Sequence, residues 1–122
     1  MHELSIAHSM IELACETAQQ HGAERVVKLR VRIGRLAGVV EDALRFSFGL
    51  AAEQTACQGA ALEIEDVPVT VLCPDCGEPK VLAEIYRFRC PTCGTPTPKI
   101  LGGQELELVS VEVADANAPS NS

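Results

Sequence analysis

Four cysteines in two short repeats are the residues of this sequence best suited to metal chemistry. Each repeat has the form C-P-x-C-G, and the four sulfur-bearing positions are Cys73, Cys76, Cys90 and Cys93. In such a turn both thiolates can face one ion, and the glycine permits the backbone conformation that the turn needs. Four thiolates favour tetrahedral zinc and leave no coordination position for water. We therefore predict a structural zinc ion rather than a catalytic one.

Two other interpretations exist for these cysteines. The repeats could be redox-active dithiols, or the four thiolates could hold iron. The duplicated spacing favours zinc over both. The two remaining cysteines, Cys15 and Cys57, have no partner at metal-ligand spacing. Cys15 lies on the apolar face of a predicted helix, where a thiol acts as a small hydrophobic side chain, and the sequence assigns no role to Cys57.

The first three residues, Met1, His2 and Glu3, form a second candidate metal site. An α-amine, the deprotonated amide nitrogen of His2 and its imidazole are nitrogen donors in fused rings, which suit Ni(II) or Cu(II). Glu3 could complete the set through its backbone amide or its carboxylate. Because His2 is bulky, we expect Met1 to be retained and to supply the amine. Taken alone, however, a histidine at position two is more often part of a frayed end without function.

Composition narrows the class of protein to which these sites belong. The 122 residues suffice for one globular unit, and 47% of them are hydrophobic. We expect a cytoplasmic protein, because no apolar run could span a membrane and the first residues lack the features of a signal peptide. A net charge of −7 opposes nucleic-acid binding. The alternating basic residues of 28–35 are typical of the solvent face of a strand.

Apolar periodicity predicts two helices and three strands. The first helix covers 5–21, with Ser5 as its cap and Gly22 at its end. The second covers 41–52, and we expect it to bury Leu44, Phe48 and either Leu50 or Ala51. The first strand should bury Val27, Leu29, Val31 and Ile33.

The other two strands each contain a change in the phase of their apolar residues. We expect a break at 66–68 in the strand that begins near Leu62, and the last strand covers 104–113. Because both show this change, we predict that they pair with each other. The segment between the two pairs of cysteines should include a short hairpin through 85–88.

The fold class that follows is α+β. It is a three-stranded sheet with two helices packed on one face, plus a zinc-knuckle lobe that resembles a zinc ribbon. Residues 1–68 and 100–113 should form the α+β domain that contains the N-terminal candidate site. Residues 69–99 should form the zinc-binding domain, and 114–122 a disordered tail.

Four sequence features in this order resemble the HypA/HybF family of nickel metallochaperones for hydrogenase maturation, from Met1 to about Val113. They are M-H-E-L-S at the start, R-I-G-R-L-A-G-V at 32–39, G-A-A-L-E-I at 59–64 and the two C-P-x-C-G repeats. The resemblance implies that Met1, His2 and Glu3 bind nickel and that the four cysteines bind structural zinc.

The resemblance also implies partners. The chain would deliver Ni(II) to the large subunit of a [NiFe] hydrogenase with a HypB-type GTPase, and a shared role in supplying urease is compatible with it. We expect a monomer or weak homodimer. Some family members have histidines beside the zinc knuckles, whereas all three histidines here precede Gly22. We therefore do not expect ligand exchange between the zinc and nickel sites.

Two functions of other classes compete with a metal carrier. A zinc-ribbon module could act on nucleic acid or transcription machinery, and a salt-dependent complex with DNA or RNA would favour it. An enzyme is the second alternative. The sequence has no G-x-x-x-x-G-K-[ST], H-E-x-x-H or G-x-S-x-G motif, and a closed zinc site offers no catalytic group. We predict a carrier and not an enzyme.

Overall fold

The computed structural model describes residues 2–114, which form two α-helices, a 3-10 turn and six β-strands. In chain order these are α1 (Glu3–Gln20), β1 (Arg25–Gly34), the 3-10 turn (Arg35–Ala37), α2 (Glu41–Ala52), β2 (Ala61–Val67), β3 (Val69–Leu72), β4 (Pro79–Leu82), β5 (Lys99–Gly102) and β6 (Leu106–Ala114). The strands form two three-stranded sheets, ordered β2-β1-β6 and β4-β3-β5. The α+β fold class is confirmed. Neither helix is long and apolar enough to cross a membrane within the described part of the chain.

Helix α1 begins earlier than predicted. His2 is its N-cap residue, and the His2 carbonyl accepts a hydrogen bond from the Ile6 N–H at 3.2 Å. Glu3 occupies the first turn, where a carboxylate favours the positive end of the helix dipole. The predicted cap at Ser5 is therefore wrong. The predicted end is confirmed, since Gly22 has a φ of 68° just after the helix.

Helix α2 has the predicted bounds and packs against α1. Its buried residues are Leu44, Phe48 and Ala52, which recur every four positions. Of the two alternatives expected for the third buried position, Leu50 is 52% exposed, because it lies two positions from Phe48 and so on a different face. Ala51 is partly buried, and Ala52 is the fully buried residue at this end of the helix.

Strand β1 differs from the predictions in two respects, its neighbouring strands and the phase of its buried residues. It lies between β2 and β6, so those strands do not pair with each other. Its alternation also changes phase near its start: Val26 is buried, whereas Val27 is 40% exposed. The Val26 N–H donates to the Ala56 carbonyl at 2.9 Å, which draws this part of the strand towards the loop after α2. Burial at Leu29 and beyond follows the prediction.

The basic residues that follow Val27 lie on the solvent side and are paired. Lys28 and Arg30 both contact Glu63, at 3.0 and 3.2 Å. Farther along, Arg32 contacts Glu65 at 2.6 Å. The acidic partners come from β2, the neighbouring strand. Cross-strand pairs therefore neutralise the basic stripe, so it does not form the concentrated positive surface that phosphate contacts require.

The break predicted at 66–68 is confirmed. Strand β2 ends at Val67, β3 begins at Val69, and the two belong to different sheets. Pro68 lies between them and lacks the N–H that a continuous ladder would use.

The second sheet leads directly into the first of the four cysteines. Its central strand, β3, ends directly before Cys73 and pairs antiparallel with both β4 and β5. A small core lies on this sheet, formed by Val69, Val71 and Leu82 with Leu36, Phe88 and Ile100 packed against it. The predicted hairpin through 85–88 is wrong: these residues include a turn at Ile85–Tyr86 but no strand. The strand of this segment, β4, lies earlier in the chain and pairs with β3.

The chain divides into two compact units. The first, which we term the helical unit, comprises residues up to Val31, residues 39–64 and residues from Leu108 onward; the second, the cysteine unit, comprises 32–38 and 65–107. The predicted zinc-binding segment 69–99 falls within the cysteine unit. Of the predicted tail 114–122, Ala114 is the last residue of β6. The rest of that tail, like Met1, lies outside the described residues.

Candidate metal centre

The four predicted cysteine ligands meet at one point. Their Sγ atoms all lie within 4.8 Å of one another. Cys73 and Cys93 are separated by 3.5 Å, Cys76 and Cys93 by 3.8 Å, and Cys76 and Cys90 by 4.0 Å between sulfurs. A tetrahedral ion with metal–sulfur bonds of about 2.3 Å would require sulfur separations of about 3.8 Å. The cluster can therefore hold a four-coordinate metal ion.

The first knuckle is closed by its own backbone. The Gly77 N–H donates to the Cys73 carbonyl at 2.8 Å, and the Cys76 N–H points to the Cys73 sulfur at 3.3 Å. Gly77 has a φ of 70°, a conformation that a side chain would strain. The turn therefore directs the sulfurs of Cys73 and Cys76 towards the same point.

The second knuckle repeats this construction. The Gly94 N–H donates to the Cys90 carbonyl at 2.9 Å, and the Thr92 N–H donates to the Cys90 sulfur at 3.4 Å. Gly94 has a φ of 76°. Cys73 and Cys90, the first cysteines of the two knuckles, are buried, whereas Cys76 and Cys93 are exposed.

The thiols of the two knuckles differ in acidity. Burial opposes ionisation of Cys90, but the backbone N–H groups of Cys93 and Thr92 outweigh it and lower the pKa of Cys90 to about 6. The neighbouring thiols of Cys73 and Cys93 raise the pKa of Cys76 to about 12. Four adjacent thiolates repel one another, so they cannot all ionise near neutral pH without a cation. A bound divalent cation would supply that charge, and its binding would release protons.

Polar side chains surround the sulfurs, and sequence reasoning did not identify them. The Cys93 sulfur contacts Thr95 Oγ1 at 3.3 Å, and this hydroxyl also donates to the Asp75 carboxylate. Lys80 donates to Thr92 Oγ1 at 3.3 Å, and its ammonium favours negative charge on the nearby cysteines. Such outer contacts orient metal ligands. The sequence contained a signal for these contacts, because each C-P-x-C-G repeat has a polar residue inside it or directly after it.

The N-terminal candidate residues lie in the helical unit. Met1 is outside the described residues, and His2 is exposed. The Glu3 carboxylate accepts a hydrogen bond from the Val40 N–H at 3.0 Å, and this bond lowers the pKa of Glu3. Val40 is the N-cap residue of α2, so the side chain of Glu3 joins the starts of the two helices.

The structure also brings together two cysteines that the sequence left unassigned. The sulfurs of Cys15 and Cys57 are 3.7 Å apart. Cys57 is completely buried, whereas Cys15 is partly exposed. Spacing could not reveal this pair, because one residue lies on α1 and the other in the loop after α2.

A small α+β protein in which four cysteine sulfurs could hold one metal ion fits the class of metal-binding proteins. The family model described as "Hydrogenase/urease nickel incorporation, metallochaperone, hypA" matches residues 1–113. The hydrogenase maturation factor HypA of Chloroflexus aurantiacus is 53% identical over 112 residues, covering 92% of this chain and 98% of that protein. The corresponding factor of Deinococcus radiodurans is 47% identical over 109 residues, covering 88% and 89%.

Solved structures agree with the sequence relatives. The solution structure of the Ni metallochaperone HypA from Helicobacter pylori has a TM-score of 0.66 and 28% identity, with 94% of this chain and 99% of that chain covered. The chain belongs to the HypA family of nickel-incorporation metallochaperones, which serve hydrogenase maturation and are not enzymes. The predicted family and the predicted absence of enzyme activity are confirmed by these matches.

Proposed function

We propose that this chain binds Ni(II) through Met1, His2 and Glu3 and delivers it to the large subunit of a [NiFe] hydrogenase during maturation. A structural zinc ion bound by Cys73, Cys76, Cys90 and Cys93 stabilises the other part of the molecule. The observation that carries this proposal is the closed four-sulfur cluster, which has no position for exchange and therefore directs cargo binding elsewhere.

Zinc is the ion best suited to the cysteine cluster. It takes four ligands in tetrahedral geometry, and three of the sulfur separations, 3.5, 3.8 and 4.0 Å, match the spacing of about 3.8 Å that zinc–thiolate bonds require. We propose a zinc-binding domain of residues 69–99 and a nickel-binding α+β domain of residues 1–68 and 100–113.

Nickel binding at the N-terminus is supported by the donors available there. His2 precedes the first turn of α1, so its amide nitrogen lies outside the helical hydrogen-bond ladder and can be deprotonated towards a metal. With the α-amine of Met1 and the imidazole of His2, it provides nitrogen donors that suit Ni(II). The Glu3 carboxylate, which accepts a hydrogen bond from the Val40 N–H through one of its oxygens, is a further oxygen donor beside this site.

Release follows from the small number of protein ligands at this site. An ion held at a chain end can pass to another protein by exchange of one ligand at a time, whereas an ion bound by four thiolates has all its coordination positions filled. Acidification should also release nickel, because the amine, amide and imidazole must all lose protons to coordinate. The histidines at 2, 8 and 21 all lie outside the cysteine unit, so we propose no ligand exchange between the two metals.

We propose that delivery occurs in the cytoplasm with a HypB-type GTPase as partner, and that the carrier is a monomer or weak homodimer. The carrier itself hydrolyses nothing. The family description also names urease, so the same cargo could be supplied to that enzyme as a second destination.

The test is a nickel titration of three tag-free proteins loaded with zinc. They are the native sequence, the His2→Ala variant and a form extended by one residue before Met1. We expect one labile Ni(II) per native chain and affinity at least about tenfold weaker in both altered forms, about 1.4 kcal/mol of binding free energy. Zinc content should be equal in all three. Equal nickel affinity, or nickel found only on the cysteines, would exclude the proposal.

A further inference from the structure

The Cys15–Cys57 pair is a second thiol cluster that the proposed function does not use. Its sulfurs are 3.7 Å apart, in van der Waals contact, although the residues are separated by 42 positions in sequence. Both belong to the helical unit. A thiol pair at this distance needs only small side-chain rotations to form a bond.

The loop that carries Cys57 is held in place by its own hydrogen bonds. The Cys57 N–H donates to Thr55 Oγ1 at 3.1 Å, and the Cys57 carbonyl accepts from the Ala60 N–H at 2.9 Å. The neighbouring Ala56 carbonyl accepts from the Val26 N–H of β1 at 2.9 Å. The sulfur of Cys57 is therefore fixed beside α1 and is not free to turn towards solvent.

The two thiols differ in access. Cys15 is partly exposed on α1, so a small solute can reach its sulfur. Cys57 has no exposed surface, and its burial together with the contact to Cys15 raises its pKa to about 12. This asymmetry assigns the two sulfurs different roles: Cys15 meets the reagent first, and Cys57 reacts only with what forms on Cys15.

We propose that Cys15 and Cys57 are an oxidation site at which hydrogen peroxide closes an intramolecular disulfide between α1 and the loop after α2. The Cys15 sulfur attacks one peroxide oxygen, the O–O bond breaks, and a sulfenic acid and water form. The Cys57 sulfur then attacks the sulfenic sulfur, the S–O bond breaks, and a second water leaves with the Cys57 proton. Two thiols lose two electrons in total, and one hydrogen peroxide becomes two waters.

The product would restrain the helix pair at a second place. Glu3 already joins the starts of α1 and α2 through Val40, at 3.0 Å. The disulfide would join a later position on α1 to the segment that follows α2. Because it closes a long stretch of chain, it should raise the thermal midpoint of the oxidised protein.

The experiment uses the full zinc-loaded chain, in which the four knuckle cysteines are held by metal, and treats it with one equivalent of hydrogen peroxide. Intact mass should fall by two hydrogens, and peptide mapping without reductant should recover the Cys15 peptide joined to the Cys57 peptide. The thermal midpoint should rise, and dithiothreitol should restore both the mass and the midpoint.

Cys15→Ala is the main control, since alanine is well tolerated in a helix. It should give no cross-link and no rise in thermal midpoint after the same treatment, and Cys57 should stay unmodified. Recovery of a cross-link only among the knuckle cysteines would overturn the proposal. So would addition of oxygen to Cys15 without a link to Cys57, or a link between two chains.

Discussion

The helical unit and the cysteine unit are stabilised by different means. Within the described residues, the helical unit buries a broad apolar set that includes Met10, Leu29, Leu44 and Phe48. The cluster described in the cysteine unit is smaller and comprises Val69, Val71 and Leu82 with a few partly buried neighbours. A core of that size supports little stability by itself, and small units usually need a metal or a covalent link. The four thiolates occur in the unit whose apolar core is smaller.

The two units also differ in the acidity of their buried thiols. In the knuckle, backbone N–H groups that face the sulfur overcome burial and lower the pKa of Cys90 to about 6. Beside α1, burial and a neighbouring thiol raise the pKa of Cys57 to about 12. Backbone N–H groups therefore favour the thiolate form at Cys90, whereas burial beside a second thiol favours the protonated form at Cys57.

The largest expected effect is the loss of zinc. Cys73→Ser should remove the ion and unfold the cysteine unit, since structural zinc contributes on the order of 10 kcal/mol of apparent folding free energy in small domains. Metal analysis should show less than one zinc per chain, and amide exchange should become fast in β3, β4 and β5. Unchanged exchange protection in those strands would show that the unit does not depend on metal.

A second prediction compares two glycines, one in each unit. A Cβ at Gly34 would overlap the Gly103 carbonyl oxygen, whereas a Cβ at Gly49 would meet nothing within 4 Å. Gly34→Ala should therefore cost roughly 3 kcal/mol or more of unfolding free energy. Gly49→Ala, at an exposed position within α2, should stabilise by about 0.5–1 kcal/mol. Denaturant titration of both variants measures this, and equal midpoints would contradict it.

The third prediction concerns the thiols outside the knuckles. Cys57→Ala removes a completely buried sulfur and should cost roughly 1 kcal/mol through the cavity that it leaves. Cys15→Ala, which is partly exposed on a helix, should change the unfolding free energy by less than about 0.5 kcal/mol. Neither variant should alter zinc content. A larger loss of unfolding free energy for Cys15→Ala than for Cys57→Ala would contradict this prediction.

The smallest effect concerns the pH dependence of the helical unit. The hydrogen bond from Val40 holds the folded-state pKa of Glu3 below its ordinary value of 4.5. The stabilisation is therefore complete above the unfolded-state value and disappears as pH falls through the folded-state pKa. Thermal midpoints from pH 6 to pH 2 should decrease less steeply in Glu3→Gln than in the native protein. Identical slopes would show that the bond to Val40 contributes nothing to folding.

Much of the candidate metal centre could be predicted because it is local. The turns of the two knuckles depend on residues within five positions, and the glycine after each pair supplies the required φ. The bounds of α2, the end of α1 at Gly22 and the break at Pro68 are local in the same way. In each case covalent geometry and the periodicity of apolar residues leave few alternatives.

Tertiary structure alone decided the remaining features. The central place of β1, the burial of Val26 in place of Val27, the contact of Cys15 with Cys57 and the bond from Val40 to Glu3 all join residues distant in sequence. Their partners depend on how loops close and which apolar faces pack, and one sequence contains no spacing rule for either. The chain's own residues therefore determined which side chains could bind metal. Long-range packing determined which other groups surround them.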